Sequence, residues 1–253
     1  MRSIFKAFGL FAGVLAALTA IAGPSEAQQK PLRVVATVSM LADAVRAVGG
    51  ARVEVTSLLG EGVDPHTYRP TRADIARLSS ADLVIANGLH LEAQLDPTLK
   101  TLQRSRPLLF AAEAIPETLL HSDQEYKERK DPHVWMDPKL WVRVVEAIRD
   151  KLVERDPSGR AVYEAGAKNY IAELNRLDDY ARKILATVPK EARVLVTAHD
   201  AFGYFGSAYG FEVEGIQGLS TESEAGLKRI EALVALLASR KIRAVFVESS
   251  VPE

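Results

Sequence analysis

Apolar residues in this chain fall into short β-branched runs separated by stretches with helical spacing. Residues 32–38 (LRVVATV), 53–59, 83–87 (LVIAN) and 108–110 read as buried strands bounded by turn residues. Between them, 40–48 reads as a helix ended by Gly49-Gly50. Thr71 with Asp74 reads as an N-cap and capping acid, and 92–103 reads as a further helix. A polar loop is expected over 122–131. Residues 138–156 follow as a helix, and a second helix begins near Gly159. In that second helix Tyr163, Ala167, Tyr170, Leu174, Leu177, Ala181, Ile184 and Val188 recur at alternating steps of four and three, forming one stripe. Some 30 residues at helical rise give a rod of roughly 45 Å, long enough to run between two lobes. Beyond Pro189 the alternation resumes: strand 193–197 (RVLVT), helix 201–209 with Gly210 as its stop, strand 211–215, helix 224–239 and strand 244–248 (AVFVE). Strands alternating with helices predict an α/β fold with two parallel-sheet lobes joined by one long helix.

The first residues follow a different rule. Arg2 and Lys6 precede an uncharged apolar run over 7–22, then Pro24-Ser25-Glu26-Ala27. This is the three-part pattern of a secretory signal peptide, cleaved after Ala27. The run is short for a membrane span, and no later run has spanning length. The expected organisation is a signal peptide over 1–27, an N-terminal lobe over 31–157, a connecting helix over 158–188 and a C-terminal lobe over 189–253. That second lobe has few elements, so it is expected to be truncated.

Charge and composition exclude several function classes. With 32 basic and 33 acidic residues the formal net charge is −1, so no basic field attracts nucleic acid. There is no cysteine, which removes disulfides, iron–sulfur clusters, thiol nucleophiles and a lipid anchor at the cleavage site. Any metal site must draw on His, Asp or Glu.

Five histidines remain: His66, His90, His121, His133 and His199. His66 and His133 close the same tripeptide, Asp64-Pro65-His66 and Asp131-Pro132-His133, each in a loop. Proline fixes its own φ and restricts its predecessor, and the aspartate can bond the turn locally. Both imidazoles are therefore stiffly presented, as a metal site requires. His199 lies within two residues of a strand's carboxyl end, where open α/β sheets bind ligands. His90 reads as a strand-to-helix loop residue, His121 as an exposed one, and Trp135 and Trp141 as packing. Walker loops, dinucleotide fingerprints, nucleophile elbows and His-Glu-x-x-His are absent.

The segments VDPHTYRPT, DPHVWMDP, TAHDAFGYFGSAYGF and FVESSVP, in this order, resemble the metal-binding solute-binding proteins of zinc/manganese ABC uptake systems (periplasmic, cluster A-I type). The resemblance runs from about residue 32 onward. It implies two α/β lobes with the metal in the cleft between them. His66 and His133 match the two N-lobe ligands and His199 the C-lobe ligand. The family's fourth ligand, an aspartate, is expected beyond Glu253. It also implies that the long helix restricts hinge opening and that the partner is an ABC permease of the inner membrane; the signal pattern and the missing cysteine lead to the separate expectation of a periplasmic protein without membrane anchor, taken as a monomer. The cargo is a divalent transition metal. Three imidazoles suit zinc. The stretch 116–130 lacks the long His-rich loop of zinc-dedicated members, so manganese stays open beside zinc, with iron a third option. Free imidazoles predict that affinity falls below about pH 6.5. A different class of function, a periplasmic zinc hydrolase, needs the same three histidines and an open position. A surface adhesin is a third reading. No general base stands in a recognisable motif, so the expectation is a binding protein and not an enzyme.

Overall fold

A computed structural model describes residues 30–123, 128–242 and 244–250. The expected signal peptide over 1–27 lies outside the described residues.

The chain opens with β1 (Leu32–Ala36), α1 (Ser39–Gly49), β2 (Val53–Ser57), α2 (Arg72–Ser80), β3 (Leu83–Ala86), α3 (Asp96–Gln103) and β4 (Leu108–Phe110). The four strands form one parallel sheet in the order β2-β1-β3-β4. β3 is buried along its whole length, as expected of an inner parallel strand covered on both faces. α1 buries Leu41, Ala42, Ala44, Val45 and Val48 on one helical face. It stops at Gly50, whose φ of 53° favours a residue without Cβ. The expected cap of α2 is present in full: Thr71 Oγ1 accepts from Asp74 N, and Asp74 Oδ2 accepts from Thr71 N.

α4 (Pro138–Arg155) starts with proline in its first turn and Asp137 as cap. α5 (Arg160–Leu185) is the long helix, 26 residues against the roughly 30 expected. Its start is tied to the first lobe. Arg52 donates to both oxygens of Asp156, Tyr163 OH donates to the same carboxylate, and the ion pair holds Asp156 well below the usual carboxylate range. Gly166 allows α5 to lie close on α1, because a Cβ there would stand 2.4 Å from the Val48 carbonyl oxygen. The far half of α5 meets the second lobe. Asp178 is buried and bonded to Arg182, which donates to Ala208 O.

That second lobe comprises β5 (Val194–His199), α6 (Gly203–Tyr209), β6 (Glu212–Gln217) and α7 (Leu227–Arg240). β5 and β6 pair in parallel, with His199 opposite Gln217. Gly210 ends α6 in the left-handed conformation, as expected. None of the described helices is long and apolar enough to cross a membrane.

Four expectations need correction. The helix expected from residue 92 begins at Asp96, because Pro97 cannot sit beyond a first turn and the Glu92 side chain is used in the preceding loop. The stripe of α5 holds at Tyr163, Ala167 and Leu174, but Leu177 and Ile184 are exposed and Asp178 is buried in their place. A 3.6-residue helix drifts off a strict four-three repeat, so the contact face passes to the next column. The run 244–248 makes only one parallel bridge, Phe246 with Thr197, among the described residues. His199 is the last residue of its strand and not a loop residue beyond it.

Candidate metal site

The residues at the carboxyl ends of the strands carry the site. The loop after β2 holds His66 and the long connection after β4 holds His133. These are the two edge strands of the first sheet, so the loops arch towards each other over its carboxyl end. His199 arrives from the second lobe at the end of β5.

Both Asp-Pro-His turns fold as the sequence suggests. His66 N donates to Asp64 Oδ1 and His133 N donates to Asp131 Oδ1, each at 2.9 Å. The Asp131 carboxylate also bonds His133 Nδ1 at 2.7 Å, and Glu248 Oε1 bonds His199 Nδ1 at 2.9 Å. A carboxylate on Nδ1 assigns the proton to that nitrogen and leaves the Nε2 lone pair free. The Nε2 atoms of His66 and His133 stand 3.2 Å apart, and those of His133 and His199 3.3 Å. All three residues are buried. Among the described residues they are the one group of three or more His, Asp or Glu whose ligand atoms lie within 4.8 Å of one another. Tetrahedral ligands at zinc–nitrogen distance are separated by about 3.3 Å, so His133 stands at ligand-corner spacing from both of the other rings, and the whole trio fits within 4.8 Å.

Electrostatics keep the rings ready. Burial, with the neighbouring imidazoles, lowers His66 to about 3, and burial lowers His133 to about 3. Both are neutral, and so able to ligate, well into acid. This corrects the expectation that protons compete at these rings from about pH 6.5, the value of a free imidazole. Burial raises Asp131 to about 7.

A second ring of contacts holds the turns. Asn87 Nδ2 donates to Pro132 O at 3.1 Å. Glu92, completely buried, accepts from Asn87 N, Gly88 N and Thr37 Oγ1. Leu89 and His90 then take positive φ values of 52° and 68°, a strained turn closed by His90 Nδ1 on Asp96 at 2.6 Å. His90 is therefore a loop residue, as expected, and stands apart from the trio. His121 is half-buried and not exposed: it stacks on Tyr204 with ring centroids 4.3 Å apart. Trp141 packs in the core, and Trp135 stands edge-on to His133 at 5.2 Å.

Sequence reasoning missed Glu248, Asn87, Glu92, Tyr204 and Thr221 as supports. Glu248 had a faint signal, an acid closing an otherwise apolar run. The others had none, since their partners lie 45 or more residues away in the chain (Glu92 also closes its own local loop).

Two α/β lobes joined by a long helix, with a buried three-histidine cluster where the lobes meet, define a two-lobed metal-binding protein. The chain matches the family model described as zinc-uptake complex component A, periplasmic, over residues 34–253, and it belongs to that family. It is 44% identical over 250 residues to the manganese-binding lipoprotein MntA of Bacillus subtilis, covering 97% of this chain and 81% of that protein. It is 43% identical over 242 residues to the zinc-binding protein TroA of Treponema pallidum, covering 95% of this chain and 78% of that protein. The solved structure of the periplasmic zinc-binding protein TroA from Treponema pallidum superposes with a TM-score of 0.85 over 88% of this chain and 79% of that one.

Proposed function

We propose that this protein captures a divalent transition metal, zinc or manganese, with His66, His133 and His199, and delivers it to an ABC-type membrane permease. The observation that carries the reading is the buried trio of imidazoles drawn from two lobes, with Nε2 of His133 standing 3.2 Å from that of His66 and 3.3 Å from that of His199. Relatives named for manganese and for zinc support both cargoes. Zinc stands above manganese in intrinsic affinity for nitrogen ligands, so the physiological choice between them rests on supply and on the remaining coordination places. Asp131 and Glu248 are both engaged in orienting imidazoles, which supports a binding role over hydrolysis. The organisation proposed is a leader over 1–27, lobes over 31–157 and 189–253, and a connecting helix over 158–188. The mature protein is proposed as a free periplasmic monomer.

Titration calorimetry of metal-free protein with zinc and then manganese tests this, run beside a His66→Ala, His133→Ala double variant. One saturable site in the parent, lost in the double variant, is expected. Equal binding by both proteins would place the metal elsewhere. Turnover of generic esters or phosphoesters by the zinc-loaded protein would instead favour the hydrolase.

A further inference from the structure

Each Asp-Pro-His turn of the first lobe is touched by a hydroxyl from the second. Tyr204, on α6, is buried and sits in the first lobe's hydrophobic cluster, although its own helix belongs to the second. Its OH donates to Asp131 O at 2.9 Å and accepts from His121 N at 3.1 Å. The Asp131 carbonyl begins the turn that presents His133. Thr221, in the loop between β6 and α7, donates its hydroxyl to Asp64 Oδ2. The other oxygen of that carboxylate accepts from His66 N. Beside it, Gln94 Nε2 donates to Glu222 Oε1 at 2.6 Å, again across the cleft.

We infer that Tyr204 and Thr221 are positioning residues that lock the two ligand turns when the lobes close, Tyr204 acting on His133 and Thr221 on His66. This rests on the metal-capture reading. Neither hydroxyl touches the trio. Each reaches a ligand through the aspartate of its turn, so lobe opening would release the turns as well as withdraw His199. Closing the cleft then tightens ligands on both sides of it.

The test uses Tyr204→Phe, which keeps the ring stacked on His121, and Thr221→Val, which keeps the shape of a half-buried loop residue. Two readouts are taken. The first is zinc release into excess chelator by stopped flow. It should quicken roughly threefold to tenfold in Tyr204→Phe, where a neutral bond is lost, and roughly tenfold in Thr221→Val, where the acceptor is charged. The second is amide hydrogen exchange in the metal-free protein. Tyr204→Phe should speed exchange at His133 and spare His66, and Thr221→Val should do the reverse. That crossed pattern is not produced by a general loss of stability. Zinc release unchanged in both variants, or both amides loosening together in each, overturns the assignment while leaving metal capture intact. A parent protein that holds no zinc at all sinks metal capture, and the assignment with it, whatever the exchange data.

Discussion

At the scale of single residues, function here depends on keeping bases uncharged. His66 and His133 are lowered to about 3 by burial, whereas an unfolded chain titrates near 6.5. Between those values the unfolded rings take up protons that the folded rings refuse, so these shifts make stability fall as pH drops through that window. For His133 the loss is offset. Asp131, raised to about 7, shares its 2.7 Å bond, and the pair holds one proton in mild acid whether folded or not. The net effect rests on His66. An NMR titration of the metal-free protein should find the His66 ring still neutral at pH 5, and a ring half-protonated near 6.5 would contradict the burial argument. The two matching tripeptides made His66 and His133 legible from sequence, because a proline and an aspartate fix a turn using only local chain. Glu248 was at most faintly marked, as an acid closing an apolar run, because its role depends on where a residue 49 positions away points.

Among the elements, the local signals translated well and the tertiary ones less so. Thr71 and Asp74 specified a helix start that the structure has atom for atom. Thr71→Ala should cost about 1 kcal/mol, read as a lower urea midpoint at unchanged slope. Gly166 gave no warning in the sequence, being one glycine inside a helical pattern. Its meaning comes from α1 lying against it, with Val48 O and Ala47 O at 2.4 and 2.8 Å from any added Cβ. Gly166→Ala should therefore destabilise the protein by on the order of 1–3 kcal/mol, although alanine is the better helix former. A neutral or stabilising result in urea unfolding would mean that the two helices part easily. The same limit explains the stripe of α5. Periodicity named a face, but the partner changes from one lobe to the other along the helix, and Asp178 with Arg182 replaces the apolar pair expected there.

For the whole molecule, a cargo bound only by the folded, closed form must stabilise it. Zinc at a thousand times its dissociation constant should add about 4 kcal/mol, seen as a rise in Tm that excess chelator reverses. No rise would mean that the folded protein holds no zinc at these concentrations. Fold class was readable because it rests on local pattern, and so was the stiff presentation of His66 and His133, whereas His199 needed the resemblance of its whole segment. The closeness of the three rings was not readable, since it depends on two edge loops and a third strand meeting in space. The rod between the lobes sets the scale of any motion there. α5 has 26 residues and so a length of about 39 Å. Bending a rod of that length by about 10° along its course carries its far tip roughly 3 Å, about the spacing of neighbouring ligand corners around a metal. Treated as a lever arm, the helix would need only slight curvature, with no unfolding and no hinge loop, to carry the second lobe and His199 by a ligand spacing.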